Sequence, residues 1–174
     1  EIKEIKGGTY GSTLNQKAEV AYLTKAFEDG TNEVHIPEYT RSTSVRGKND
    51  IGDTYVEVDM TNQTMYFFKD GELVLETSVV TGNLAKKHKT PEGINYVYAK
   101  QKNRILRGPG YASFVNYWMP VKGGIGIHDA TWRKEFGGEI YKTDGSHGCI
   151  NTPLEKMEEL YDMVNVGTPV VMYY

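Results

Sequence analysis

Between Tyr55 and Thr81 the chain alternates apolar and polar residues with a period of two, and this pattern restricts the fold more than any other feature. Val56, Val58 and Met60 interleave with Tyr55, Glu57 and Asp59, Thr61-Asn62-Gln63 turns the chain, and Met65 to Phe68 resumes the pattern. Such alternation turns one face of an extended strand to a core and the other to solvent, whereas a helix of 3.6 residues per turn would scatter the same residues around its axis. Lys69-Asp70-Gly71-Glu72 carries an Asp-Gly pair that tolerates the positive φ of a tight hairpin, and Leu73 to Thr81 reads as the next strand. Three successive strands predict a meander. Further strands are expected over residues 94–100, 111–118, 125–128 and 170–173, punctuated by Thr90-Pro91-Glu92-Gly93 and Gly108-Pro109-Gly110. Nineteen glycines, and thirteen tyrosines against five phenylalanines, suit turns and amphipathic strands better than a helical bundle. The expected fold class is mainly β, a sandwich or barrel-like domain with one or two short helices.

The first 49 residues have a different character. Residues 15–28 place Ala18, Ala21, Tyr22 and Lys25 on one side of a helix, Leu23, Ala26 and Phe27 add apolar surface, and Gly30 follows as a stop. Residues 41–52 are almost free of apolar side chains and read as a connection. The division is therefore 1–49, a small α+β appendage with its connection, and 50–174, the main domain. A second helix is well signalled after residue 151. Thr152 is suited to cap it, Pro153 to its first position and Glu155 to a capping box, with Leu154, Met157, Leu160, Tyr161 and Val164 as its apolar face.

Cys149 is the only cysteine of the 174 residues, so no intrachain disulfide is possible and the redox compartment stays open. Single free cysteines are more often buried and inert than reactive. This one follows Asp144-Gly145-Ser146, a loop composition, with His147 two positions before it and His128 further upstream. A neighbouring imidazole or a helix N-terminus lowers a thiol's pKa, and both are expected here. All four histidines, His35, His88, His128 and His147, precede the cysteine, which excludes the Cys-then-His order of papain-like peptidases. Sortases run His, Cys, Arg, and here the last arginine, Arg133, lies upstream. His88 sits among lysines in a solvated loop and His35 in the appendage, so neither is a strong candidate. Gly123-Gly124-Ile125-Gly126 lacks the Lys-Ser/Thr of a phosphate loop, and its glycines suit the thin wall of a groove that Tyr111, Tyr117, Trp118 and Trp132 could line. A net charge of −3, with both signs interleaved, gives no footing for nucleic acid. His128, His147 and Cys149 also make a His₂Cys set that could hold zinc, an alternative kept open.

Ile127-His128 followed by Ser146-His147-Gly148-Cys149-Ile150-Asn151 resembles the signature of the L,D-transpeptidases, the YkuD-type domain. Thr90-Pro91-Glu92-Gly93 resembles a turn found upstream in that family, and the resemblance covers roughly residues 53 to 174. The first fifty residues resemble only the tail of an accessory domain that precedes some members. The resemblance implies a predominantly β catalytic domain that cross-links peptidoglycan. Cys149 would attack the carbonyl joining the third stem residue to the terminal D-alanine of a donor tetrapeptide, D-alanine would leave, and an acceptor-stem amine would resolve the thioester into a 3→3-type cross-link. It further implies His128 as general base and acid, His147 as a supporting residue that positions the acyl group, Gly148 and Cys149 N–H groups as oxyanion donors, Ser146 as loop support, and the Asp129 carbonyl as the group orienting His128. Family members commonly have Gly or Ser where Asp129 stands, which leaves open a role for its carboxylate. Tyr117, Trp118, Gly126 and Asn151 are the expected substrate-binding positions. No cofactor or metal is implied; the partners would be stem peptides and, as covalent inhibitors, carbapenems. A monomer is expected, extracytoplasmic and facing the wall. No run of apolar residues approaches the roughly 20 that a membrane span needs, so an anchor or export signal would lie upstream. A non-catalytic wall-binding domain is the remaining alternative.

Overall fold

The structure is a computed structural model, and it describes residues 4–45, 47 and 49–174. In the appendage, β1 (Thr13–Leu14) leads into α1 (Gln16–Asp29), which returns to β2 (Tyr39–Arg41), antiparallel to β1. Both helix ends follow from the sequence: the Asn15 side chain accepts the Ala18 N–H, and Gly30, at φ 65°, donates its N–H back to the carbonyls of Ala26 and Phe27. The apolar side of α1 is a different matter, because Glu19 is the only residue the helix buries, while Leu23 and Phe27 stay exposed. The Glu19 carboxylate accepts the Glu38 N–H at 2.7 Å and pairs with His35, whose ring stacks on Tyr22. His35 is thus a structural residue. The connection over residues 41–52 includes Arg46 and Lys48, which lie outside the described residues; beside them, Ser44 N–H donates to the Tyr10 hydroxyl and ties the connection to the appendage.

Three strands of the main domain form the expected meander: β3 (Tyr55–Asp59), β4 (Thr64–Lys69) and β5 (Glu72–Ser78), each antiparallel to the next. The turn between β3 and β4 is held by the Asp59 carboxylate, which accepts the N–H groups of Thr61 and Asn62. β6 (Gly93–Tyr96) stands at the far edge of this sheet. A second sheet contains β7 (Gln101–Gly108), β8 (Tyr111–Lys122), β9 (Ile125–Asp129) and, after the short helix α2 (Ile140–Asp144), β10 (Ile150–Thr152). Next come α3 (Leu154–Met163) and β11 (Pro169–Tyr173), which slots between β3 and β6 in the first sheet.

Alternation decides what each strand buries. Val56, Val58 and Phe67 from the first sheet meet Met119, Ile127 and Ile150 from the second, and α3 closes the cluster with Met157 and Leu160. At roughly 1.5–3 kcal/mol per fully buried large apolar side chain, the stabilisation resides in this shared core, since α1 buries no apolar residue. The mainly β expectation holds. Of its two forms the sandwich is observed, because neither sheet closes on itself.

Two local expectations are corrected. β7 lies outside the expected strands: Gln101 to Ile105 are all exposed, so no apolar alternation marks this edge strand, and its pairing is supplied by β8. Thr152 does not cap α3. It lies in β10 opposite Asp129, its hydroxyl is buried without a hydrogen-bond partner among the described residues, and Pro153 occupies the cap position with no side-chain bond. Nonlocal pairing with β9 has taken the residue that local chemistry would use as a cap. At the other end of α3, Lys100 Nζ donates to the Val164 carbonyl at 2.7 Å.

Candidate active site

The parallel pair β9–β10 sets the geometry. Its register places Ile127 beside Ile150, His128 beside Asn151 and Asp129 beside Thr152. Neighbours in register share a face, so His128 and Asn151 lie on one side, and Cys149, just before β10, lines one cavity with them. The antiparallel neighbour β8 sets Trp118 opposite His128. Residues twenty-one apart in sequence thereby converge because two short strands pair.

Cys149 enters β10 from a loop built by its neighbours. Ser146 Oγ donates to the Cys149 carbonyl at 2.6 Å and accepts the Gly148 N–H at 3.0 Å, which folds the loop on itself. Gly148 sits at φ 119°, a conformation that side chains rarely adopt, and Thr90 Oγ1 donates to its carbonyl at 2.8 Å. The Thr90 turn thus braces the loop from outside. With its N–H held by Ser146, Gly148 does not present that group to an oxyanion in this structure, a departure from the expected role. Gly126 lies where a Cβ would come within 2.5 Å of the Met119 carbonyl and 2.7 Å of the Trp118 ring, so only glycine lets β9 run this close beneath the thiol.

The surroundings of the thiol disfavour its ionisation. Burial pushes the Cys149 thiol up to about 11, and the Gly126 backbone N–H offsets this only in part. The expected lowering by a helix N-terminus fails for a geometric reason: β10 stands between Cys149 and Leu154, where α3 begins, and the dipole acts only within the first turn. In the resting protein the sulfur contacts the Gly124 carbonyl at 3.7 Å.

His128 is 4 % exposed, with Trp118 and Trp132 centred 5.8 Å and 5.9 Å from its ring. Burial holds its pKa below the usual imidazole value, Asp129 opposes this, and Arg133 adds to it. Nδ1 lies 2.8 Å from the Asp129 carbonyl, which only accepts, so Nδ1 carries the proton and Nε2 is the basic nitrogen. The Asp129 carboxylate faces β8 instead, accepting from Asn116 Nδ2 and the Tyr117 N–H at 2.8 Å each.

His147 is stacked on Tyr111 with ring centres 4.4 Å apart, and His88 lies 4.8 Å away on another side. Burial, and then His88 and Lys86, keep the His147 pKa low. Trp118 faces the thiol, but its neighbour Tyr117 points to the opposite side of β8. There its hydroxyl donates to Glu158 on α3 and its ring packs near Tyr161. Tyr117 is therefore not a groove residue. The His₂Cys zinc set does not assemble either: among the described residues no group of three or more His, Cys, Asp or Glu side chains gathers as ligands. Sequence reasoning missed Arg133, which donates through Nε to Asn151 Oδ1 at 2.9 Å. No motif marks it, since its place follows from nonlocal contacts with Asn151 and Asp144.

Two cavities meet at Cys149. One, of about 630 Å³, runs along β7 past Arg104, Arg107, Tyr111 and Trp118; the other, of about 230 Å³, is walled by His128, Trp132, Ser146, His147 and Asn151. A thiol reachable from two directions and a buried imidazole of lowered pKa can support acyl transfer between two separately bound partners.

The model of the L,D-transpeptidase catalytic domain family (YkuD) matches residues 53–172. No curated protein matches. Among solved structures, a cysteine-to-serine mutant of an Enterococcus faecium L,D-transpeptidase is 42% identical, with a TM-score of 0.80 over 97% of this chain and 68% of that one. The catalytic domain of E. faecium L,D-transpeptidase acylated by ertapenem is 49% identical, with a TM-score of 0.64 over 70% of this chain and 98% of that one. An L,D-transpeptidase from Mycobacterium smegmatis is 27% identical, with a TM-score of 0.60 over 70% and 59% of the respective chains.

Proposed function

The chain belongs to the L,D-transpeptidase catalytic-domain family, and from that premise we propose that it cross-links peptidoglycan through a thioester on Cys149. The carrying observation is that Cys149, just before β10, and His128 on the paired strand β9 line one cavity, which a second joins at the cysteine.

In the proposed reaction the Cys149 sulfur attacks the carbonyl between the third stem residue and the terminal D-alanine of a donor tetrapeptide. As the Asn151 amide, which donates to His128 Nε2 in the resting protein, gives way, the thiol proton passes to that nitrogen, the carbon–nitrogen bond breaks, and the imidazolium returns that proton to the departing D-alanine amine. An acceptor-stem amine then attacks the thioester, again giving its proton to His128, which hands it to the leaving sulfur. Both shifts, a thiol held high and an imidazole held low, disfavour a standing thiolate–imidazolium pair. Proton transfer therefore accompanies attack. The Cys149 N–H is the oxyanion donor in this scheme, His147 and Tyr111 steady the acyl chain, and Trp118, Gly126 and Asn151 form the wall it lies against. Two cavities suit donor and acceptor approaching one sulfur from different sides. Water entering in place of the amine would give L,D-carboxypeptidase activity on the side.

Ertapenem acylation of the E. faecium domain supports the same covalent inhibition by carbapenems here. A peptidoglycan substrate would call for a domain outside the cytoplasm facing the wall, and the site's completeness within one chain suits a monomer. Incubation with a disaccharide-tetrapeptide, followed by weighing of the products, tests the reading. A cross-linked dimer formed with loss of one D-alanine is expected; tripeptide alone would mean hydrolysis instead of transfer, and unchanged substrate would overturn the proposal.

A further inference from the structure

Asn151 is 2 % exposed, and its side-chain amide faces two partners at once. Nδ2 lies 3.2 Å from His128 Nε2, while Oδ1 accepts from Arg133 Nε at 2.9 Å. Arg133 is itself fixed: NH2 donates to the Asp144 carbonyl at 2.7 Å, NH1 to the Asp144 carboxylate at 3.2 Å, and only 11% of its side chain is exposed.

These contacts impose a direction. A guanidinium can only donate, so the amide edge facing it must be the oxygen, and the NH₂ must face His128. A donor facing Nε2 requires a lone pair there, which places the imidazole proton on Nδ1, where the Asp129 carbonyl receives it. With the amide flipped, Asn151 Oδ1 would call for a proton on Nε2, and His128 could not take one from the thiol. In the present orientation a flip would set two donors, the Arg133 Nε–H and the Asn151 NH₂, against each other.

We propose that Arg133 is a positioning residue that acts through Asn151 to reinforce the tautomer favoured by the Asp129 carbonyl, with Nε2 of His128 free of a proton in the resting protein. The inference rests on His128 being the base of the proposed reaction, and it names a residue outside the motif. His128 is faced by Asp129 from its own strand, by Arg133 from the β9–α2 connection and by the Cys149 thiol from the loop before β10; β8 contributes Trp118, which does not titrate. Removing the guanidinium also removes a nearby positive charge that opposes imidazolium.

Two-bond proton–nitrogen correlation spectra of ¹⁵N-histidine-labelled protein, recorded across pH, read the tautomer directly. The wild type is expected to show His128 with an unprotonated Nε2. Arg133→Met is expected to bring in an Nε2–H signal and to raise the His128 midpoint by about one unit, the scale of a nearby charge. Acylation by a carbapenem should slow by about tenfold at neutral pH, with its acid limb moved upward. In an Asn151→Ala background the same substitution should leave the tautomer signal unaltered, because the relay is already cut. If Arg133→Met does not fold, Arg133→Lys serves, since it keeps the charge but not the planar fork, and the tautomer change is expected with a smaller midpoint shift. An unchanged His128 tautomer and midpoint, or an equal loss of rate with and without Asn151, would overturn the relay and leave Arg133 a brace for Asp144. The spectra need no substrate, so a failed relay with intact cross-linking is distinguishable from a failed peptidoglycan reading.

Discussion

Cys149→Ala is expected to abolish release of D-alanine from a disaccharide-tetrapeptide, a fall of about 10⁶, the scale seen when a covalent catalyst loses its nucleophile. No other cysteine exists in the chain to substitute for it. The fold should survive, since the sulfur's hydrogen bond to the Gly124 carbonyl is long at 3.7 Å and the loop is held by Ser146 and Thr90; thermal unfolding should change by no more than about 1 kcal/mol. A variant that loses activity yet melts like the wild type assigns the loss to chemistry. A wall-binding domain with an idle site would instead show no change in any measured property.

His128→Gln should lower acylation by roughly 10²–10⁴, the usual contribution of a general base. The pH dependence carries more information than the size. Burial lowers the His128 pKa, so the base stays neutral to a lower pH than an ordinary imidazole, and the acid limb of the wild-type kcat/KM profile should fall below pH 6.5. The alkaline side should stay open toward the thiol's value of about 11. In the variant the acid limb should vanish and the rate should rise with pH as the thiol ionises unaided. The stability sign follows from the same shift. Because the folded pKa is depressed, the contribution of neutral His128 is fully present above about pH 6.5 and is lost as pH falls through the folded value, where the unfolded chain binds the proton more readily. A wild-type acid limb at or above pH 7 would mean that the base is another group.

Local signals made much of this molecule legible. The meander β3–β5 shows because alternation is strong and each turn carries its own chemistry, and α1 shows because Asn15 and Gly30 mark its ends. Strands that depend on partners do not announce themselves. β7 is exposed on both faces and exists by pairing with β8, and β10 is three residues long, too short for any period, yet it converts Thr152 from an expected cap into a strand residue. That one strand accounts for most of what the site added. It carries α3 away from the sulfur, so no helix N-terminus offsets the rise that burial imposes on the thiol, and its register sets Asn151 beside the base, where Arg133 meets it. The motif named Cys149, His128 and Ser146. Alternation along β8 could have separated Tyr117 from Trp118, but which of them faces the thiol depends on the β8–β9 register, a nonlocal fact.

The central claim is that Cys149 is the acyl-accepting nucleophile. Intact-protein mass spectrometry after incubation with a carbapenem, with peptide mapping of the product, tests it most directly. One covalent adduct per chain, located on the peptide containing Cys149 and absent from Cys149→Ala, is the predicted result. A folded sample that stays at its native mass, or an adduct on a different residue, would contradict it.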